Sequence, residues 1–284
     1  MAVVPSLPTP SCTESLQPPP PSRQTRLKQF LETPVRDDLF LECQLLVLSF
    51  SIGIQDATSF PDYHCFASNQ TGNTVLFAVG VAKLSTIFSI QNIGISLSLF
   101  IFGVSIAGQI GNLVGPRKRW WLLLSSVLQT LMVFAATAIQ YTGPSPVPDH
   151  GSSALAVLAL LAFSSGAQVA MARGLKITEI TTAMATAAYV DIFIDEAIFQ
   201  RQNRKRNRRM AFLLVLFAGS FAGAFMYKAK GSAFALLISA VGKLIVAVSF
   251  VWNGELKEEE EVEKAVLQLQ LSREVGRVRS YFKE

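Results

Sequence analysis

The chain has 284 residues, with 25 Lys and Arg against 20 Asp and Glu, a formal charge of +5. Half of it is hydrophobic, only 16% is charged, and the mean hydropathy is +0.39. Its long apolar blocks leave too little polar chain to wrap them, which excludes a water-soluble globule and implies an integral membrane protein.

Residues 1–35 hold Pro5, Pro8, Pro10, the run Pro18–Pro21 and Pro34. Such a segment buries too little apolar surface to offset its ordering entropy, so a disordered arm is expected over 1–35. It lacks a basic start followed by an apolar core, so it does not read as a signal peptide. A transmembrane domain is expected over 36–253.

The first apolar block runs over Leu39–Thr58. It carries the stretch GIQDATSF, residues 53–60, and SNQTGNTV follows at 68–75. Asp56 is expected at the outer end of this helix. Asn69, Thr71, Gly72 and Asn73 open a weaker apolar segment, Thr71–Ile90, which contains Lys83. Glycine permits close backbone approach, and Thr and Asn cap helix starts. A half-helix beginning there would aim its positive end inward and suit an anion; ordinary capping is the plainer alternative. Asn69-Gln70-Thr71 is a glycosylation sequon that is expected to carry no glycan.

Further blocks follow at Ile93–Leu113, Trp120–Gln140, Ser153–Ala172, Met210–Tyr227 and Ser232–Trp252. Gly103, Ala107, Gly111 and Gly115 recur every four residues, and Gly219-x-x-x-Gly223 repeats the spacing. Small residues so spaced serve close helix packing within the chain or a homodimer face. A second weak segment, Ile177–Phe199, contains Asp191, Asp195 and Glu196. The basic run Arg201–Arg209 suits the cytoplasmic face and anionic lipid, not nucleic acid. Residues 254–284 read as a charged cytoplasmic helical tail. Cys12, Cys43 and Cys65 form no pairing pattern, and His64 and His150 lie in different loops. No metal, cofactor or catalytic arrangement is expected, so the chain does not read as an enzyme.

The membrane part is expected to repeat, with copies at 39–140 and 153–252. Gly53-Ile54-Gln55 answers Gly166-Ala167-Gln168, Phe102–Gly108 answers Phe217–Gly223, and Ser125–Gln129 answers Ser239–Lys243. The fold expected is all-α: six spans in two three-helix repeats, each with a short or re-entrant extra segment. Leaving both weak segments uncrossed puts fifteen Lys and Arg on one side and three on the other. That asymmetry favours both termini on the cytoplasmic side and an inverted second half. Lys243 falls near the middle of the last span, where a charge is costly. It is expected to meet Asp56, Asp191, Asp195 or Glu196, or to line a wet cavity. Gln55, Gln168 and Lys243 join Asp56, Asn69, Thr71, Gly72 and Asn73 as candidate solute-binding residues.

The pairing of Gly53-x-x-Asp56-Ala57-x-Ser59-Phe60 with Ser68-Asn69-x-Thr71-Gly72-Asn73-Thr74 resembles the YoaK-type uncharacterised transmembrane family, domain of unknown function 1275. Gly166-Ala167-Gln168 with Arg173 is similar to it as well. The second-half counterpart, Thr181–Thr186, lacks the family's glycine. The resemblance implies a multi-span membrane protein over about 39–252 and no activity. The functional reading is a carrier for a small solute or anion in the lipid bilayer, with a non-transporting scaffold as the alternative.

Overall fold

A computed structural model describes residues 22–144 and 146–256. Among them nine α-helices form: α1 (Arg23–Glu32), α2 (Leu39–Tyr63), α3 (Gln70–Val81), α4 (Ile90–Val114), α5 (Arg119–Thr142), α6 (Ser152–Gly174), α7 (Ala185–Phe193), α8 (Arg204–Lys230) and α9 (Ser232–Ser249), which runs on as a 3-10 turn to Trp252. The six long helices, α2, α4, α5, α6, α8 and α9, have the length and apolarity to cross a membrane. The chain is an all-α, multi-pass membrane protein.

Local chemistry sets the helix starts. Asp38, Ser89 and Asn203 accept hydrogen bonds from the first turns of α2, α4 and α8. Gly231, at φ +85°, turns α8 directly into α9. α8 begins at Arg204, six residues before the apolar block, because its basic first turn is satisfied elsewhere. Arg204 and Arg208 both reach Glu42 of α2, at 2.6 and 2.7 Å, and Arg208 also pairs with Asp37 and Glu179.

Two faces follow from these contacts. The start of α2, the turn between α4 and α5, the end of α6, the start of α8 and the end of α9 share the amino-terminal face. Tyr63, Asn92, Gln140, Asp149 and Tyr227 meet at the far face.

The short helices do not span. At 1.5 Å per residue the 12 residues of α3 cover about 18 Å and the 9 of α7 about 14 Å, against roughly 30 Å of hydrocarbon. After α2 the chain turns at His64, in the left-handed region, and doubles back beside α2 to Ser68. α3 then climbs along α4 until Gly80 lies against Phe88 and Ile90. α7 follows the matching stretch after α6 and packs on α8.

Packing between the long helices is reciprocal. α2 lies against α8 and α9, α6 lies against α4 and α5, and α5 meets α9. A Cβ on Gly53 would lie 2.4 Å from Leu216 O, and one on Gly166 would lie 2.2 Å from Phe100 O. A Cβ on Gly219 would lie 2.2 Å from Phe50 O, and one on Gly103 2.4 Å from Phe163 O. The contact of Gly103 with α6 thus mirrors that of Gly219 with α2, whereas the sequence match pairs 103 with 218. These glycines serve crossings within the chain, because only a bare backbone fits there.

The arm expected to be disordered over 1–35 is corrected for its described part. Ser22 caps α1, and Val35 is fully buried and donates to Arg117 O. Arg119 anchors the segment: its buried guanidinium lies 3.9 Å from the Phe30 ring and donates to Phe30 O and to Asn253 O. Residues 1–21 and the tail from 257 to 284 lie outside the described residues.

Candidate functional site

A cavity of about 1190 Å³ lies between α2, α4, α6 and α8. Its deep end is at mid-height, at Gly53 and Asp56 of α2 and Leu216 and Ser220 of α8. From there its wall follows α4 to Asn112 and α6 to Gly174, and reaches Pro116 and Lys176 at the amino-terminal face. Both hairpins contribute: Ser68, Asn69 and Thr71 from the first, Met184 to Thr186 from the second. The starts of α3 and α7 thus face the same space. Non-helical backbone at such depth is tolerated where it lines a cavity, and helix starts present free N–H groups there.

The first hairpin is held by side chains. Asp56 accepts from Ser68 N at 2.8 Å and Ser68 Oγ at 2.5 Å, and Ser59 Oγ accepts from Ala67 N. Asp56 stands seven residues before the end of α2, not at its outer end as expected from sequence, because the chain returns to its level. Asn73 is fully buried, and all its polar atoms are engaged. Its Oδ1 accepts from Phe66 N, while its Nδ2 donates to Phe66 O, Gln70 Oε1 and Ser96 Oγ. Gly72 lets the Phe66 ring lie close, and Asn69 Oδ1 accepts from Gly72 N. Asn73 and Gly72 shape the hairpin, whereas Asn69 and Thr71 are exposed to the cavity.

The second hairpin uses different chemistry. Thr181 Oγ1 accepts from Met184 N and donates to Met184 O, closing the turn before α7. Thr182 occupies the left-handed region, at φ +64°, in the hairpin that lacks the family's glycine. Arg173 reaches Met184 Sδ at 3.2 Å. Arg173 and Lys176 bring positive charge to the cavity wall near its mouth.

Gln55, Gln168 and Lys243 do not line this cavity. They form a separate knot where α2, α6 and α9 cross. Gln55 Nε2 donates to Ser239 Oγ at 2.8 Å. Lys243 Nζ donates to Gln168 Oε1 at 2.5 Å and Ser164 Oγ at 3.2 Å, and Gln168 Nε2 donates to Leu48 O. The carboxylate expected beside Lys243 is absent among the described residues. Asp56 is engaged by Ser68, Asp191 pairs with Arg209, and Asp195 holds Asn203. Lys243 points between helices, where neutral oxygens satisfy it. Among the described residues no three His, Cys, Asp or Glu side chains gather closely enough for a metal ion.

Six membrane-length helices and two half-helices around one cavity define a polytopic helical membrane protein. The model of the family described as "Protein of unknown function (DUF1275)" matches residues 44–249, and the chain belongs to that family. No curated protein and no solved structure matches the chain.

Proposed function

We propose that the protein is a carrier for a small polar solute. The observation that carries this reading is the cavity at the starts of both half-helices, whose lining reaches Pro116 and Lys176 near the amino-terminal face, while side-chain hydrogen bonds close the far face. Half-helices meeting at mid-depth are a recurrent device for solute sites in secondary transporters. The link from that arrangement to transport is an analogy of fold. Reciprocal packing of α2–α8 and α4–α6 supports two inverted repeats, matched at offsets of 113 for the first helices and 116 for the second. In this reading α2, α8 and α9 rock against α4, α5 and α6. The basic amino-terminal face is cytoplasmic, so the cavity opens inward.

Solute meets Asn69, Thr71 and Thr186 near the helix starts, with Asp56 at the deep end and Arg173 toward the mouth. The test is uptake into proteoliposomes from a panel of anions, amino acids and sugars, with Thr71→Val beside wild type. Uptake that Thr71→Val lowers at unchanged protein level supports the site. No uptake across the panel, together with loss of cellular function on deleting residues 1–21 or 257–284, would shift the assignment to a scaffold.

A further inference from the structure

The reciprocal glycine contacts allow positions in the two halves to be matched. Offsets of 113 and 116 place Tyr63 opposite Lys176 and Tyr227 opposite Gly111. Lys176 and Gly111 lie where the cavity nears the amino-terminal face. The matching place on the far face is filled by a buried polar cluster. Asp62 accepts from Tyr227 Oη at 2.8 Å and from Gln140 Nε2 at 3.2 Å, and Ser232 also hydrogen-bonds it. Gln140 Nε2 reaches Tyr63 Oη at 2.9 Å as well, and Asn92 Nδ2 donates to Tyr63 O. One carboxylate thus joins α2, α5, α8 and α9, and α4 is tied to its neighbour. Asp62 stands six residues beyond Asp56, about 9 Å further along α2 than the cavity's deep end.

We propose that this Asp62 cluster is the gate of a second mouth, through which the same cavity opens to the far face. The proposal rests on the carrier reading. A hydrogen-bonded gate suits the role, because its bonds hold the face shut yet exchange readily for water when the halves separate. It joins helices of both rocking units: Gln140 and Asn92 belong to one, Asp62, Tyr63, Tyr227 and Ser232 to the other.

A native reporter lies behind the gate. Cys65 is fully buried in the apolar cluster that holds Tyr63, Ile93 and Val133. Burial pushes its thiol up to about 12, so it stays protonated and slow to alkylate in the closed state. The experiment uses full-length protein carrying Cys12→Ser and Cys43→Ser in liposomes, and reads the rate of Cys65 alkylation by a maleimide. Gln140→Ala and Tyr227→Phe each remove a donor from the cluster. Each should raise that rate about ten- to hundredfold, the range set by losing one hydrogen bond to a charged acceptor. Val133→Ala loosens the apolar cluster that holds Cys65 and Tyr63 but removes no hydrogen bond of the gate, and should raise it far less. Two results would overturn the gate: rates unchanged in both cluster variants, or an equal rise in Val133→Ala. Uptake measured on the same vesicles separates the two readings. Solute movement with an unresponsive Cys65 removes the gate alone. A responsive Cys65 with no solute moved removes the carrier and leaves a cluster that controls opening.

Discussion

Lys243 places a formal charge at the crossing of α2, α6 and α9, and it is 1% exposed. Only neutral oxygens of Gln168 and Ser164 meet it. A buried ion without a counter-charge is expensive, and its hydrogen bonds offset the cost only in part. Removing the partner should therefore hurt more than removing the charge. Gln168→Leu is expected to lower stability by about 1.5–3 kcal/mol, the range for losing one hydrogen bond to a charged group, since only Ser164 then remains. Lys243→Met, which fills similar volume with an apolar chain, should leave stability unchanged or raise it. The double variant should unfold close to Lys243→Met alone, the signature of coupled neighbours. Thermal unfolding of the four proteins in detergent checks this; a Lys243→Met loss as large as that of Gln168→Leu would refute it. The knot is apart from the cavity, so its residues are best assigned to joining helices, while Asp56, Asn69 and Thr71 line the cavity.

At the scale of elements, the helix crossings decide stability. A Cβ on Gly219 would meet Phe50 O at 2.2 Å, and backbone cannot step aside as a flexible side chain can. Gly219→Ala should cost at least the 1–3 kcal/mol typical of overpacking. Gly94, in α4, has only the Phe77 ring at 3.7 Å, so Gly94→Ala should stabilise by about 0.5–1 kcal/mol through helix propensity. Unfolding midpoints of the pair test whether close approach, rather than glycine itself, matters. Lys83 ends α3 in a Schellman turn: its N–H bonds Gly80 O and that of Leu84 bonds Val79 O, at φ +55°. Lys83→Gly should add up to about 1 kcal/mol, read from the same melts.

Much of this was legible in the sequence. Runs of about 20 apolar residues have few other uses, so all six spans were visible. Their ends were less so: α8 extends back to Arg204 because Glu42, 162 positions away, receives its basic turn. α1 was hidden by the prolines around it, although Leu27, Phe30 and Leu31 carry a helical spacing after Ser22. Within the motif around Thr71, Gly72 and Asn73 shape the hairpin, whereas Asn69 and Thr71 lie on the cavity wall. Arg173, Lys176 and Thr186 could not be placed there from sequence, because their position depends on how the second hairpin folds back. The Asp62 cluster was equally hidden, since its members are spread from residue 62 to 232.

The whole molecule is electrically polarised along the membrane normal. Fifteen Lys and Arg of the described residues lie toward the amino-terminal face, and Lys83, Lys228 and Lys230 toward the far face. Each basic side chain near an anionic cytoplasmic leaflet gains about 1 kcal/mol, and this asymmetry is the basis of the proposed orientation. The ion-pair cluster of Glu42, Arg204 and Arg208 belongs to the same face and ties α8 to α2 there. In the proposed repeat, corresponding helices lie three spans apart in the chain, so that reading has the second half run opposite to the first. The orientation in turn decides which compartment the cavity meets. A cysteine in place of Lys228 should be labelled on intact cells by a membrane-impermeant maleimide. Cysteines in place of Lys118 and Lys205 should be labelled only after the membrane is opened. Labelling of positions 118 and 205 from opposite sides would break the six-span arrangement, because the structure holds both at one face. Labelling of both from outside, with 228 protected, would keep the fold and invert it. The cavity would then open outward, and the Asp62 cluster would close the cytoplasmic side.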